Sequence, residues 1–182
     1  MSAIPDFYDT SRLEQIAINL FHGWGYNFYR LENQLRADDQ MIRAKTSWLL
    51  GLGRRSVESA EAAYRRERLP PPSRDDPRPD PASIAGAQVL ERLSRAIGAA
   101  DGQIRAQPVP DNDRMRQRYR REAETLSRLA TQDRTLVGQA DLLRQTLDGR
   151  DGAWMIDNGS GLSGGVEAIV RTLSDRQAML MV

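Results

Sequence analysis

Apolar residues recur at three and four positions along several long tracts of this chain, the spacing that gathers side chains on one face of an α-helix. In the first tract Leu13, Ile16, Ala17, Leu20, Phe21, Trp24, Phe28, Leu31 and Leu35 share a side. Ser11 and Glu14 stand at capping-box spacing, which predicts a helix from about Ser11 to Leu35. Gly23 and Gly25 interrupt it at about 1 kcal/mol each relative to alanine, marking a kink or a close neighbour. A second helix is predicted from Asp38 to Arg68, with Ile42, Lys45, Leu49, Leu52, Ser56, Ser59 and Ala63 as its seam. Ser56, Ser59, Ala60, Ala62 and Ala63 make the later half a small-residue surface that admits another helix, and Glu61 and Arg65 are spaced to pair.

The third predicted helix starts near Ser83, ends before Pro108 and carries Gly86, Leu90, Leu93, Ile97, Ala100 and Ile104. From Asp111 the most regular pattern begins: Met115, Tyr119, Glu122, Leu126, Leu129, Asp133, Leu136, Ala140, Leu143 and Leu147 alternate steps of four and three. Glu122 and Asp133 are acidic interruptions of that seam. A last helix over 163–180 buries Val166, Ile169, Val170 and Leu173. Proline inside a helix costs about 3 kcal/mol, and all nine prolines fall outside these tracts, at Pro5, between Pro70 and Pro81, and at Pro108 and Pro110.

The expected architecture is therefore all-α: an antiparallel four-helix bundle with an additional C-terminal helix and a proline-rich connector. It is a single helical domain over 1–182, divided into a helical hairpin 11–68, the connector 69–82, a second hairpin 83–147, a turn-rich segment 148–162 and the helix 163–180. Within the turn-rich segment, Ala153 to Asp157 is an apolar insert expected to lie extended on the bundle.

Composition narrows the function classes. With 40% apolar and 28% charged residues, the chain is too hydrophobic for wholesale disorder. No stretch approaches the roughly 20 apolar residues of a membrane span, and the opening residues lack the pattern of a signal peptide, so a cytoplasmic protein with no membrane partner is expected. Absence of cysteine removes disulfides, thiolate nucleophiles and thiolate metal sites. Net charge is +1, so attraction to nucleic acid must come from a local patch. Of the 26 basic residues all but Lys45 are arginine, a skew that GC-rich bacterial codon usage produces.

Candidate chemistry is sparse. His22 is the sole histidine, set in an aromatic run of Phe21, Trp24, Tyr26, Phe28 and Tyr29. That run is either a partner-binding patch or a core corner filled by Phe21, Trp24 and Phe28, with Trp24, Tyr26 and Tyr29 as the binding candidates. No Glu-x-x-His pair is present for a di-metal bundle site, and Glu32, Asp38 and Asp39 are expected to be caps and solvated surface. Gly159 to Gly165 lacks the Lys and Ser/Thr of a phosphate loop and is expected to be a flexible turn. Asp148 and Asp151 lack the alternating ligands of a calcium loop. No serine lies in a nucleophile motif. The remaining anomaly is the run from Arg114 to Arg121, in which Arg114, Arg118 and Arg121 share a face.

These features lead to an expectation of a noncatalytic protein–protein interaction protein, with no cofactor and no metal. Its partner is expected to be another protein or a second copy of the chain. The alternative is a nucleic-acid-associated protein that binds through Arg114, Arg118 and Arg121.

Overall fold

The computed structural model describes residues 4–25, 35–71, 78–107 and 122–181. Among them are six packed helices and no strand: α1 (Thr10–Trp24), α2 (Leu35–Arg68), α3 (Pro81–Ala106), α4 (Glu122–Leu147), α5 (Gly152–Asp157) and α6 (Gly159–Met181).

Local chemistry sets the boundaries. Asp9, rather than the Ser11–Glu14 pair, caps α1 by accepting the Arg12 N–H at 3.2 Å. At the other end Gly25 adopts φ 66°, a left-handed conformation that glycine enters without penalty, and its N–H donates to the His22 carbonyl. The helix therefore stops at Trp24, short of the Leu35 expected from periodicity. Asp80 caps α3 through the Ala82 and Ser83 N–H groups, and Pro81 takes the first helical position, where a missing N–H costs nothing. Gly149, again at φ 66°, closes α4, and Asp151 caps α5 by accepting the Trp154 N–H at 2.8 Å.

The segment expected to be turns is mostly helical. Ala153 to Asp157 lies in α5 instead of an extended strand, and the glycine run opens α6. Packing explains why glycines are tolerated there. A Cβ on Gly161 would stand 2.9 Å from Ile4, and one on Gly165 would stand 2.7 Å from the Phe7 ring. Ile4 and Phe7 of the N-terminal segment lie in the notches these glycines leave, and the burial of Phe7 offsets the low helix propensity of the run.

The core centres on α4. Every residue from Leu136 to Leu143 is buried, because α1, α2 and α6 all pack around this helix. Gly138 admits the backbone of α1, since a methyl there would collide with the Leu13 carbonyl. Gly53 admits α4, with its Cβ position 3.4 Å from Leu147 and 3.7 Å from the Arg144 Cα. On α2 the buried stripe is Ile42, Thr46, Leu49, Leu50, Gly53, Val57 and Ala60. The expected seam at Ser59 and Ala63 has rotated into solvent, as a helix of 3.6 residues per turn requires when a tighter repeat is extended along it.

Side-chain pairs fix the directions of neighbours. Ser47 bonds Asp101, Ser94 reaches Glu58 at 3.4 Å and Arg65 lies 3.8 Å from Glu91, so α2 and α3 run oppositely. Arg134 pairs with Glu14 at 2.8 Å where α1 lies along α4. No helix among the described residues is long and apolar enough to cross a membrane.

Candidate partner-binding surface

Two helices bring an aromatic group together at the end of α1. The Gly25 cap leaves Trp24 as the last residue of α1, and α2 presents Lys45 and Trp48 three residues apart while Thr46, Ser47 and Leu49 turn to the core. The Lys45 ammonium stands 5.1 Å from the Trp24 ring centre and 5.9 Å from that of Trp48. Each contact of this kind contributes about 0.5–1 kcal/mol at an exposed site. Phe21 extends the group, its ring 5.7 Å from Trp24 and inclined at 44°. Phe21 and Trp24 are half-buried, His22 is exposed, and Trp48 keeps 52% of its surface in solvent.

This geometry divides the expected site. Trp24 joins the cluster, whereas Tyr26 and Tyr29 lie outside the described residues, as do Arg114, Arg118 and Arg121. Trp48 was not anticipated. Its signal was its place three residues after Lys45, off the apolar face of α2, where a tryptophan contributes nothing to the core.

Beyond the aromatic group, a groove of about 710 Å³ runs along α2 from Leu52 to Arg68. The far wall is Leu147 with the turn from Gly149 to Ala153. Arg150 stands on that wall with its guanidinium 4.5 Å from the Trp154 ring centre, and Arg55 stands exposed on α2.

A third polar group is fully enclosed. Arg176 of α6 has 0% exposure; its Nε donates to Asp133 at 2.5 Å and its Nη2 to Asp39 at 2.7 Å. Gln107, at the end of α3, accepts from Arg176 at 3.4 Å and donates to the Leu173 carbonyl at 3.0 Å. Arg43 closes the assembly, 3.1 Å from Asp39 and bonded to the Gln107 carbonyl at 2.6 Å. Burial alone pulls the Arg176 pKa down, but the carboxylates of Asp133 and Asp39 outweigh it and hold the pKa above its ordinary value. The guanidinium is therefore charged at every pH the protein meets. Asp38 and Asp39, expected to be surface or capping groups, are both buried. Arg176 and Asp133 leave no open face for a substrate, and their role is to tie α2, α3, α4 and α6 together.

Among the described residues no three His, Asp or Glu side chains are grouped to hold a metal ion. No family model, no curated protein and no solved structure matches this chain.

Proposed function

We infer that the chain is a noncatalytic cytoplasmic protein–protein interaction protein, an adaptor or small assembly subunit built as an antiparallel helical bundle, whose partner docks on Phe21, Trp24, Lys45 and Trp48. One observation carries this reading: Trp48 is half in solvent and shares the Lys45 ammonium with a second indole, Trp24. Tryptophan is enriched at the energetic centres of interfaces, because a large rigid ring buries much area at small entropic cost. Lys45 strengthens the case by ordering both rings before a partner arrives, which lowers the cost of association.

The test is affinity capture of the full chain from its native cells, with Trp48→Ala and Trp24→Ala as matched variants. Truncating an interface anchor costs at least about 2 kcal/mol. A protein that copurifies with the parent chain should therefore be lost from Trp48→Ala, while circular dichroism of the variant stays unchanged. Equal recovery of the same proteins by both variants would refute the reading, as would substrate turnover by the purified chain alone.

A further inference from the structure

The face of α2 that bears Trp48 continues into the groove, since Trp48, Leu52, Arg55, Ser59 and Ala63 stand three or four residues apart on one side of the helix. We propose that this groove receives an acidic amphipathic helix of the partner, about four turns long and laid along α2 between Leu52 and Arg68. The proposal rests on the interaction reading above and names the chemistry of the partner.

Shape gives the first argument. The lining stretch of α2 is about 24 Å long at 1.5 Å per residue, the length of a four-turn rod rather than of a small molecule. Short side chains, Ser56, Ser59, Ala60 and Ala63, stand on α2 among the longer Arg55, Tyr64, Glu67 and Arg68, and Gly152 packs against Ala60 and Tyr64 at the base. A neighbouring helix can settle against such a floor at close axial distance. Half-buried Leu52 and exposed Ala63 supply apolar contact along it.

Charge gives the second. The lining holds three arginines, Arg55, Arg68 and Arg150, against two acids: Glu67 pairs with Arg68 at 3.2 Å, and Asp151 keeps its charge while accepting the Trp154 N–H. Among the described residues Arg55 and Arg150 have no carboxylate within ion-pairing distance. They stand on opposite sides of the groove, one on α2 and one after the α4 turn, and Trp154 holds the second in place. Arginine therefore outnumbers carboxylate along the groove, and acidic side chains on the flanks of an incoming helix would meet Arg55 on one side and Arg150 on the other.

The experiment uses two dye-labelled synthetic helices of about 18 residues, enough for five turns. They share an Ala and Leu face and differ in carrying Glu or Lys on the flanks. Fluorescence anisotropy against the full chain at low ionic strength should show the Glu helix binding about tenfold more tightly or better. The pair Arg55→Glu and Arg150→Glu should reverse that preference. Ser59→Trp, which fills the groove from an exposed position, should abolish binding with helicity unchanged. Equal binding of the two helices, binding of neither, or a Glu preference that survives the double reversal overturns the proposal. A dimer in light scattering that disperses on Ser59→Trp places a second copy in the groove and also overturns it. In the capture experiment, loss on Trp48→Ala but not on the double reversal removes the acidic helix and keeps the interaction reading. Survival of capture in both removes both.

Discussion

Where α2 begins and α3 and α6 end, the molecule is closed by charges: Arg176 between Asp39 and Asp133, with Gln107 and Arg43 completing the bonds. Where α2 ends and α6 begins, it is closed by missing side chains, with Gly86 and Gly152 under Tyr64, Gly161 under Ile4 and Gly165 under Phe7. Each end joins several helices, yet the two respond to different insults. Desolvating three charges offsets most of their mutual attraction, so the ionic end adds little net stability while intact and becomes costly once a member is removed. The glycine end depends on shape, so an added methyl disturbs it as much as a lost one.

Substitutions at each end can break this comparison. The largest effect is expected from Arg176→Met, which removes the cation that Asp39 and Asp133 share in the interior and should cost about 3–5 kcal/mol in urea denaturation. Converting all three residues, as Arg176→Met with Asp39→Leu and Asp133→Leu, should recover most of that loss. An equal loss in the triple variant would show that the charges supply net stability, contrary to the account above.

Gly138→Ala follows, at about 1–3 kcal/mol, because the new methyl meets the Leu13 carbonyl, a backbone group that has no rotamer to escape into. Its signature is faster amide exchange throughout α1 with α3 unaffected. Gly165→Ala should cost about 1 kcal/mol, the low end of overpacking, because the group it meets is the Phe7 ring. Adding Phe7→Leu should return part of this, and an additive double variant would mean that the notch is not what holds Phe7.

The smallest effect concerns pH. The Ser83 hydroxyl, together with the Ser83 and Ala82 N–H groups, holds the Asp80 carboxyl below its ordinary value of 3.8. A lowered pKa stabilises the folded chain above the ordinary value, and that contribution disappears as pH falls through the lower one. The first turn of α3 should therefore loosen only in strong acid, visible as shifts of the Ala82 and Ser83 amide resonances. Asp80→Asn should keep the cap and remove this pH dependence. Arg176, whose pKa is raised, adds no pH dependence in the working range.

Much of the helical skeleton was legible because periodicity and proline placement report on backbone preference directly. On α3 the expected face, Gly86, Leu90, Leu93, Ile97, Ala100 and Ile104, is the buried one. On α4 the same holds for Leu129, Asp133, Leu136, Ala140, Leu143 and Leu147. Failures came where a residue acts through something distant in the chain. The glycine run resembled a turn because its partners, Ile4 and Phe7, lie far away in sequence. Asp133 looked like an interruption of a seam, yet Arg176 continues the Val166, Ile169, Leu173 series by the next step of three. Two opposite charges at seam positions were the available sign of a buried pair. Trp48 escaped for the converse reason: attention to the apolar face passes over the ring that faces away from it.

The ionic closure also bears on how the chain reaches its fold. Arg176 is separated by 43 residues from Asp133 and by 137 from Asp39, so both bonds close very long loops. Such contacts come at high loop entropy and late in assembly. Until α6 docks, two carboxylates and one flank of the central helix stay hydrated, and a nascent chain paused before that helix presents the surface that proteases and chaperones recognise.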